Sequence, residues 1–312
     1  MSGWTRRLLA GVLGLVAVVS CAGFAATAQP AAPAAQGDFA GLVDVDGRKI
    51  YLECRGSGSP TVVLQSGFGN GADVWSLSTD GTPAVAPAVA ELTRVCAYDR
   101  PGSTRVLAEN GSLFDQPRPA RSDPAPMPRT AADVTRELHA LLTTAGVPGP
   151  YVLVGHSLGG PFVRHYASTY PNDVAGLVVI DGTAVSLRSL VTPKQWDIFA
   201  STLASSPLPG YDAGEAYDIS ASMDQIEAAP PLPMVTVVFL IAEGTDPPPN
   251  PAPPGYPVDT VLAVSRFRIE AQSRDAAGIP GARATVVPGT THYIQLQRPG
   301  VVVDAVRSVM SP

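Results

Sequence analysis

The sequence predicts an α/β protein with a mostly parallel sheet and helices on both faces. Short apolar runs with the character of strands alternate with segments of helical period along the chain. The first two strand-like runs flank Asp46-Gly47, a hairpin signal. The 312 residues, 45% of them apolar, suffice for a sizeable core in one large domain or two ordinary ones. Other classes are excluded at the same level. With 32 prolines and 30 glycines the chain is rich in loops, which argues against a coiled coil or helical solenoid. Charged residues make up 15% and the net charge is −6, whereas a nucleic-acid partner requires a basic face. Three cysteines are too few for a disulfide scaffold and lack zinc-ribbon spacing.

Residues 1–28 read as an export signal. Arg6 and Arg7 precede an apolar run at 8–19, within the roughly 7–15 residues of a signal core and short of the roughly 20 that span a bilayer. Ala26-Thr27-Ala28 is a small-x-small site that would leave Gln29 at the N-terminus. Val18-Val19-Ser20-Cys21 instead resembles a bacterial lipobox, with Cys21 lipidated and tethering the protein to a membrane. An uncleaved anchor is the third reading. All three put the globular part outside the cytoplasm, secreted or associated with the cell envelope. Residues 29–40, rich in Ala and Pro, read as a flexible tether, leaving 41–312 as the folded domain.

Within that domain, 42–45 and 49–54 are the hairpin strands and 61–65 is a continuous apolar strand. A helix is expected at 84–92, a strand at 93–98, and a long polar loop at 102–129. Val134, Leu138, Leu141 and Leu142 set a helical period over 130–145, closed by Gly146 and Pro148. Strands at 151–154, 174–180, 235–241 and 284–287 follow, with helices at 158–170 and 301–309. About fifty residues separate the strands ending at 180 and starting at 235, where 2–6 plus a helix is usual. This insertion, near 183–231, reads as a small helical cap over the sheet edge that binds ligands in open α/β sheets. Its Trp196 and Phe199 are expected to face the pocket or its entrance; a surface excursion without a binding role is the plainer alternative.

Gly155-His156-Ser157-Leu158-Gly159 fits G-x-S-x-G, a weak signal alone in a Gly-rich chain. The strand directly before it and the helix directly after it are what a nucleophile elbow requires. The turn holds the serine hydroxyl at the sheet edge, and the helix N-terminus contributes free N–H groups. A serine hydroxyl needs a base. Of the four histidines, His139 and His165 lie within helices and His156 adjoins the serine. His292 follows the last strand in a loop on the same edge as the elbow, so it is the candidate. Gln65-Ser66-Gly67-Phe68-Gly69 follows another strand end. There the Phe68 N–H can join that of Leu158 to face a developing oxyanion.

These segments together resemble the α/β-hydrolase superfamily over residues 42–310. The matches are the hairpin start, Gly67-Phe68-Gly69, Tyr98-Asp99-Arg100-Pro101-Gly102, the elbow, Tyr170-Pro171 with Val174-Ala175-Gly176, and the final Gly-x-x-His. One departure is Ser66, where the common pattern has histidine before the glycine. The resemblance implies an eight-stranded, mostly parallel sheet with a small helical cap, in an exported bacterial enzyme of the serine esterase or lipase kind. The implied reaction is cleavage of a small-molecule or lipid-like ester through an acyl-enzyme, with no metal or organic cofactor. A serine-dependent acyltransferase or lyase, or a binding protein that lost turnover, are the alternatives on the same fold.

Two further expectations rest on that resemblance. In this fold the second strand neighbours the fourth, so Cys54 and Cys96 can form a disulfide in an exported protein; otherwise they are two buried thiols. The acid that orients His292 has rival sites. Asp246 follows the seventh strand, the usual position. Asp181 ends the sixth, the position used by the hydrolases this chain most resembles, and is placed ahead of Asp246, with Glu243 third.

Overall fold

Asp46 and Gly47 both take positive φ, 51° and 83°, as a tight turn between two twisted strands requires. The strands they join are β1 (Phe39–Val45) and β2 (Arg48–Arg55), paired antiparallel. The protein, here a computed structural model, is described for Met1 and residues 37–105, 118–204, 214–245, 251–252 and 254–310. Cys21, Ala28 and Asp246 lie outside the described residues. The chain divides into two units, Met1–Pro30 and Ala31–Pro312, and every described strand and helix belongs to the second. Its first strand starts at Phe39, a little before the boundary expected at 41.

The remaining strands are β3 (Thr61–Gln65), β4 (Val95–Tyr98), β5 (Tyr151–His156), β6 (Val174–Ile180), β7 (Thr236–Ala242) and β8 (Arg283–Val287). Among the described residues these form one eight-stranded sheet in the order β1-β2-β4-β3-β5-β6-β7-β8. Only β2 runs antiparallel to its neighbours; the other pairs are parallel. Every residue of β3, β4 and β5 is buried, the reason these strands read as unbroken apolar runs. One face is covered by α2 (Ala131–Thr144) and α3 (Gly159–Thr169), where Leu138, Leu141 and Tyr166 pack on Leu52, Leu153 and Leu177. The other is covered by α1 (Val85–Ala90) and α7 (Pro299–Met310), where Val85, Val89, Val302 and Val306 pack on Val62, Val152 and Val178. Between β6 and β7 the cap carries α4 (Pro193–Thr202) and α5 (Ile219–Ala228).

One long element departs from expectation. α6 (Val258–Ala277) fills the connection between β7 and β8, where no helix was expected. Its buried residues are Thr260, Ala271, Gln272, Asp275 and Ala276, mostly small or polar, so no apolar stripe announces it. A short ribbon of Thr104–Arg105 with Arg118–Pro119 lies within the polar loop. No helix among the described residues is long and apolar enough to cross a membrane.

Cys54 and Cys96 sit opposite each other on β2 and β4 and are joined by a disulfide. For a sequence separation of 42 residues, loop-closure entropy makes such a bond worth about 4 kcal/mol. The Cys54→Ala/Cys96→Ala pair is therefore expected to lose about that much in urea unfolding; an unchanged midpoint would show that the bond contributes nothing.

Candidate active site

The site starts at the turn from β5 into α3. Ser157 takes φ 53°, a left-handed conformation that costs a non-glycine residue free energy and needs surrounding structure to hold it. Its N–H donates to the Ile180 carbonyl at 3.0 Å, and its carbonyl accepts from Thr183 N at 3.0 Å. The motif's glycines are there because chains touch. A Cβ on Gly155 would lie 2.4 Å from the Gly159 carbonyl oxygen, and one on Gly159 would lie 2.4 Å from that of Gln65. Only hydrogen fits at either place.

Asp181 directly follows β6 with φ 40°, its N–H bonded to the Leu240 carbonyl at 2.7 Å. Its Oδ2 lies 2.7 Å from His292 Nδ1. Its Oδ1 accepts from Gln272 Nε2 at 2.9 Å, from Ala242 N at 3.1 Å and from Arg268 Nη1. Burial pushes this carboxyl up. The hydrogen bond and charge of His292, then Arg268 and Gln272, outweigh burial and hold its pKa below the ordinary value. An ionised Asp181 keeps the proton of His292 on Nδ1 and leaves the Nε2 lone pair free. Among the described residues no hydrogen bond joins Ser157 to His292, a looseness common before substrate binds. Of the rival acids, Glu243 accepts from Gly289 N at 3.0 Å and does not bond His292.

Ser157, Asp181 and His292 line one cavity of about 270 Å³ whose apolar wall includes Leu187, Phe199, Leu203 and Val264. Trp196 does not line it, contrary to expectation. Its side chain is buried against Phe162, Tyr217 and Met223, with Nε1 donating to Ser220 Oγ at 3.0 Å. The large ring belongs to the buried cluster that includes Phe162 of α3 and residues of the cap, and Phe199 beside it reaches the cavity. A larger recess of about 510 Å³, lined by Arg48, Arg129 and Glu137, contains neither the serine nor His292.

The loop after β3 closes over the serine. A Cβ on Gly67 would lie 2.9 Å from both Ser157 Cβ and His156 Nδ1. Neither Phe68 N–H nor Leu158 N–H donates a hydrogen bond among the described residues. Ser66 braces the loop: its hydroxyl donates to the Gly71 carbonyl and accepts from Trp75 Nε1, both at 2.9 Å. Arg100 donates to the Ser66 and Gly67 carbonyls, each at 2.7 Å. It also pairs with buried Glu215, Nε to Oε1 at 2.7 Å. Burial alone would lower the Arg100 pKa; Glu215 more than offsets this and the pKa is raised. Sequence reading missed the parts of Arg268, Gln272 and Glu215. Arg100 was visible only as part of a matched segment.

The other histidines are structural. His139 stacks on Tyr170 at 3.8 Å, and His165 Nδ1 meets Thr135 Oγ1 at 2.9 Å. His156 Nε2 bonds the His292 carbonyl at 2.9 Å, which tethers the His292 loop. Burial, then the neighbouring His292 charge, push the His156 pKa down to about 3. The native state therefore binds fewer protons than the unfolded chain between about pH 3 and 6.5. Stability is present in full above that window and is lost as pH falls through it, by up to about 1.4 kcal/mol per pH unit. His156→Gln, which retains a donor, is expected to flatten urea midpoints measured from pH 7 to 4. His165, lowered by burial, would retain part of the slope. Equal slopes in both proteins would remove His156 as the cause.

A parallel-sheet α/β fold, with a serine elbow and a histidine–aspartate pair at one sheet edge, defines the class. The sequence profile of the Alpha/beta hydrolase family matches residues 62–305, and the chain belongs to that family. Among curated proteins, "Probable transporter efuK" of Hormonema carpetanum is 27% identical over 182 residues, 55% of this chain and 23% of that protein. "Putative carbamate hydrolase RutD" of Cronobacter turicensis is 30% identical over 125 residues, 40% of this chain and 38% of that protein. The chain thus spans well under half the length of these relatives. A thermophilic esterase from Thermogutta terrifontis shares the fold at TM-score 0.57 and 17% identity, covering 86% of this chain and 97% of that one.

Proposed function

We propose that the protein is an exported serine hydrolase that cleaves carboxylic esters with small apolar acyl groups. The observation that carries this is the meeting of Ser157, His292 and Asp181 in one mostly apolar cavity, with His292 Nδ1 bonded to Asp181. His292 Nε2 takes the Ser157 proton as Oγ attacks the ester carbonyl. The Phe68 and Leu158 N–H groups stabilise the oxyanion, and the imidazolium then protonates the leaving alcohol. Water, deprotonated by His292, releases the acid and regenerates the serine. At about 270 Å³ the cavity falls just below the roughly 300–1,000 Å³ typical of ligand pockets, which favours short acyl chains over long lipid tails. Residues 1–28 direct export, with cleavage before Gln29 or lipidation at Cys21, and the Cys54–Cys96 disulfide is compatible with an oxidising compartment.

A fluorophosphonate probe and a panel of p-nitrophenyl esters test the reaction. One label per chain on the peptide carrying Ser157, with hydrolysis fastest for short acyl groups, is the expected result; absence of both labelling and hydrolysis would overturn it. Phe199→Ala, which widens the cavity, is expected to raise kcat/KM for octanoate relative to butyrate about 10-fold. An unchanged ratio would remove Phe199 from acyl selection. Mass spectrometry of the N-terminus after fractionation distinguishes Gln29 from a lipidated Cys21, and an intact N-terminus in the cytoplasm would reject export.

A further inference from the structure

We propose that Arg100 and Glu215 are positioning residues for the oxyanion hole, so that the cap holds the catalytic peptide of the body in place. This role rests on the site being that of a serine hydrolase, as proposed above. Arg100 and Glu215 are 115 residues apart in sequence yet form a buried pair, 1% and 0% exposed. The guanidinium uses its fork fully: Nη1 holds the Ser66 carbonyl, Nη2 the Gly67 carbonyl, and Nε faces Glu215 and the Tyr217 hydroxyl. Asn70 N also donates to the Gly67 carbonyl, at 3.1 Å.

That carbonyl and the Phe68 N–H belong to the same peptide unit. In a trans peptide the two groups point in opposite directions. Pulling the Gly67 oxygen toward Arg100 therefore turns the Phe68 N–H away from Arg100. The preceding Gly67 Cα is packed against Ser157, so the N–H is presented on the serine's side of the loop. Glu215 fixes the other end of the turn, its Oε2 accepting from Gly69 N at 2.7 Å.

Glu215 is itself tied down from both sides of the cap segment that carries it. Its N–H donates to the Gly102 carbonyl at 2.9 Å, and Asp218 N donates to the Arg129 carbonyl at 2.9 Å. The Tyr217 hydroxyl donates to Glu215 Oε1 at 3.0 Å. The cap thus supplies the counter-charge that keeps Arg100 in place. A lysine ammonium is a single nitrogen and lacks the planar fork whose Nε, Nη1 and Nη2 reach a carboxylate and two carbonyls separately, so Arg100→Lys should loosen the peptide while preserving charge.

The test compares wild type, Arg100→Lys and Glu215→Gln, each with its active sites counted by the fluorophosphonate burst and its fold checked by thermal unfolding. A trifluoromethyl ketone, which forms a tetrahedral oxyanion on Ser157, reports the hole directly. Expected for Arg100→Lys is a kcat per titrated site lower by roughly 10²-fold, a matching rise in the ketone's Ki, and a KM changed less than threefold. Glu215→Gln should move both quantities in the same proportion by a smaller factor, and it serves as the readout if the lysine variant fails to fold. Unchanged kcat per titrated site and unchanged Ki in a folded variant would overturn the proposal, as would equal losses in kcat and ketone affinity accompanied by a matching rise in KM. An inactive, unlabelled wild type would instead reject the hydrolase reading on which the proposal rests.

Discussion

Ser157→Ala is expected to lower kcat for a short-chain ester about 10⁶-fold, the scale seen when the triad nucleophile of a serine protease is removed. The alanine keeps the Cβ that contacts the Gly67 loop and accepts the same φ of 53°. Neither the elbow nor the packing around it then has cause to change, and the melting temperature should stay within a degree or two. What disappears is the oxygen that forms the acyl-enzyme. Fluorophosphonate labelling should vanish while KM moves little, because the apolar wall from Leu187 to Val264 is untouched. The residual rate, carried by the oxyanion donors and binding alone, should still exceed that in water. Turnover close to wild type, or labelling at another residue, would mean that Ser157 is not the nucleophile.

Asp181→Asn is expected to lower kcat about 10⁴-fold with substrate binding largely retained. The amide is isosteric but cannot accept from Arg268, Gln272 and His292 as a carboxylate does, and its NH₂ would face donors. Facing His292 Nδ1, it would favour the wrong tautomer and leave no charge to stabilise the imidazolium. Stability should also fall, because Arg268 would lose the carboxylate that it pairs with. Asp246→Asn is the comparison. A large loss in kcat for Asp246→Asn with little for Asp181→Asn would move the acid to the loop after β7.

How far the site can be read from sequence depends on how far apart its parts lie along the chain. Strand, turn and helix around Ser157 are contiguous, and the glycines that permit the turn are within two residues of it, so the elbow is legible locally. His292 could be picked from four histidines because strand ends in a parallel sheet share an edge. The choice between Asp181 and Asp246 could not be made that way. It turns on which carboxylate comes within bonding distance of a histidine beyond β8, and at Asp181 this distance is set by the pairing of β6 with β7 and β7 with β8. Trp196 illustrates the converse: an aromatic residue in a cap is equally suited to line a pocket or to fasten the cap, and only its neighbours distinguish the two.

Legible along the chain, then, are the alternation of strands and helices, the parallel sheet, the elbow and the candidate serine and histidine. These are written in short-range periodicity, in turn chemistry and in the fixed geometry of consecutive residues. The partners through space follow only from how the chain folds back on itself. Folding puts Arg268 and Gln272 of an unanticipated helix on Asp181, and Glu215 of the cap on Arg100 beneath the Gly67–Phe68 peptide. Such contacts leave no local pattern, because a buried charge requires a counter-charge nearby in space and not in sequence. In this chain those counter-charges lie 87 and 115 residues away.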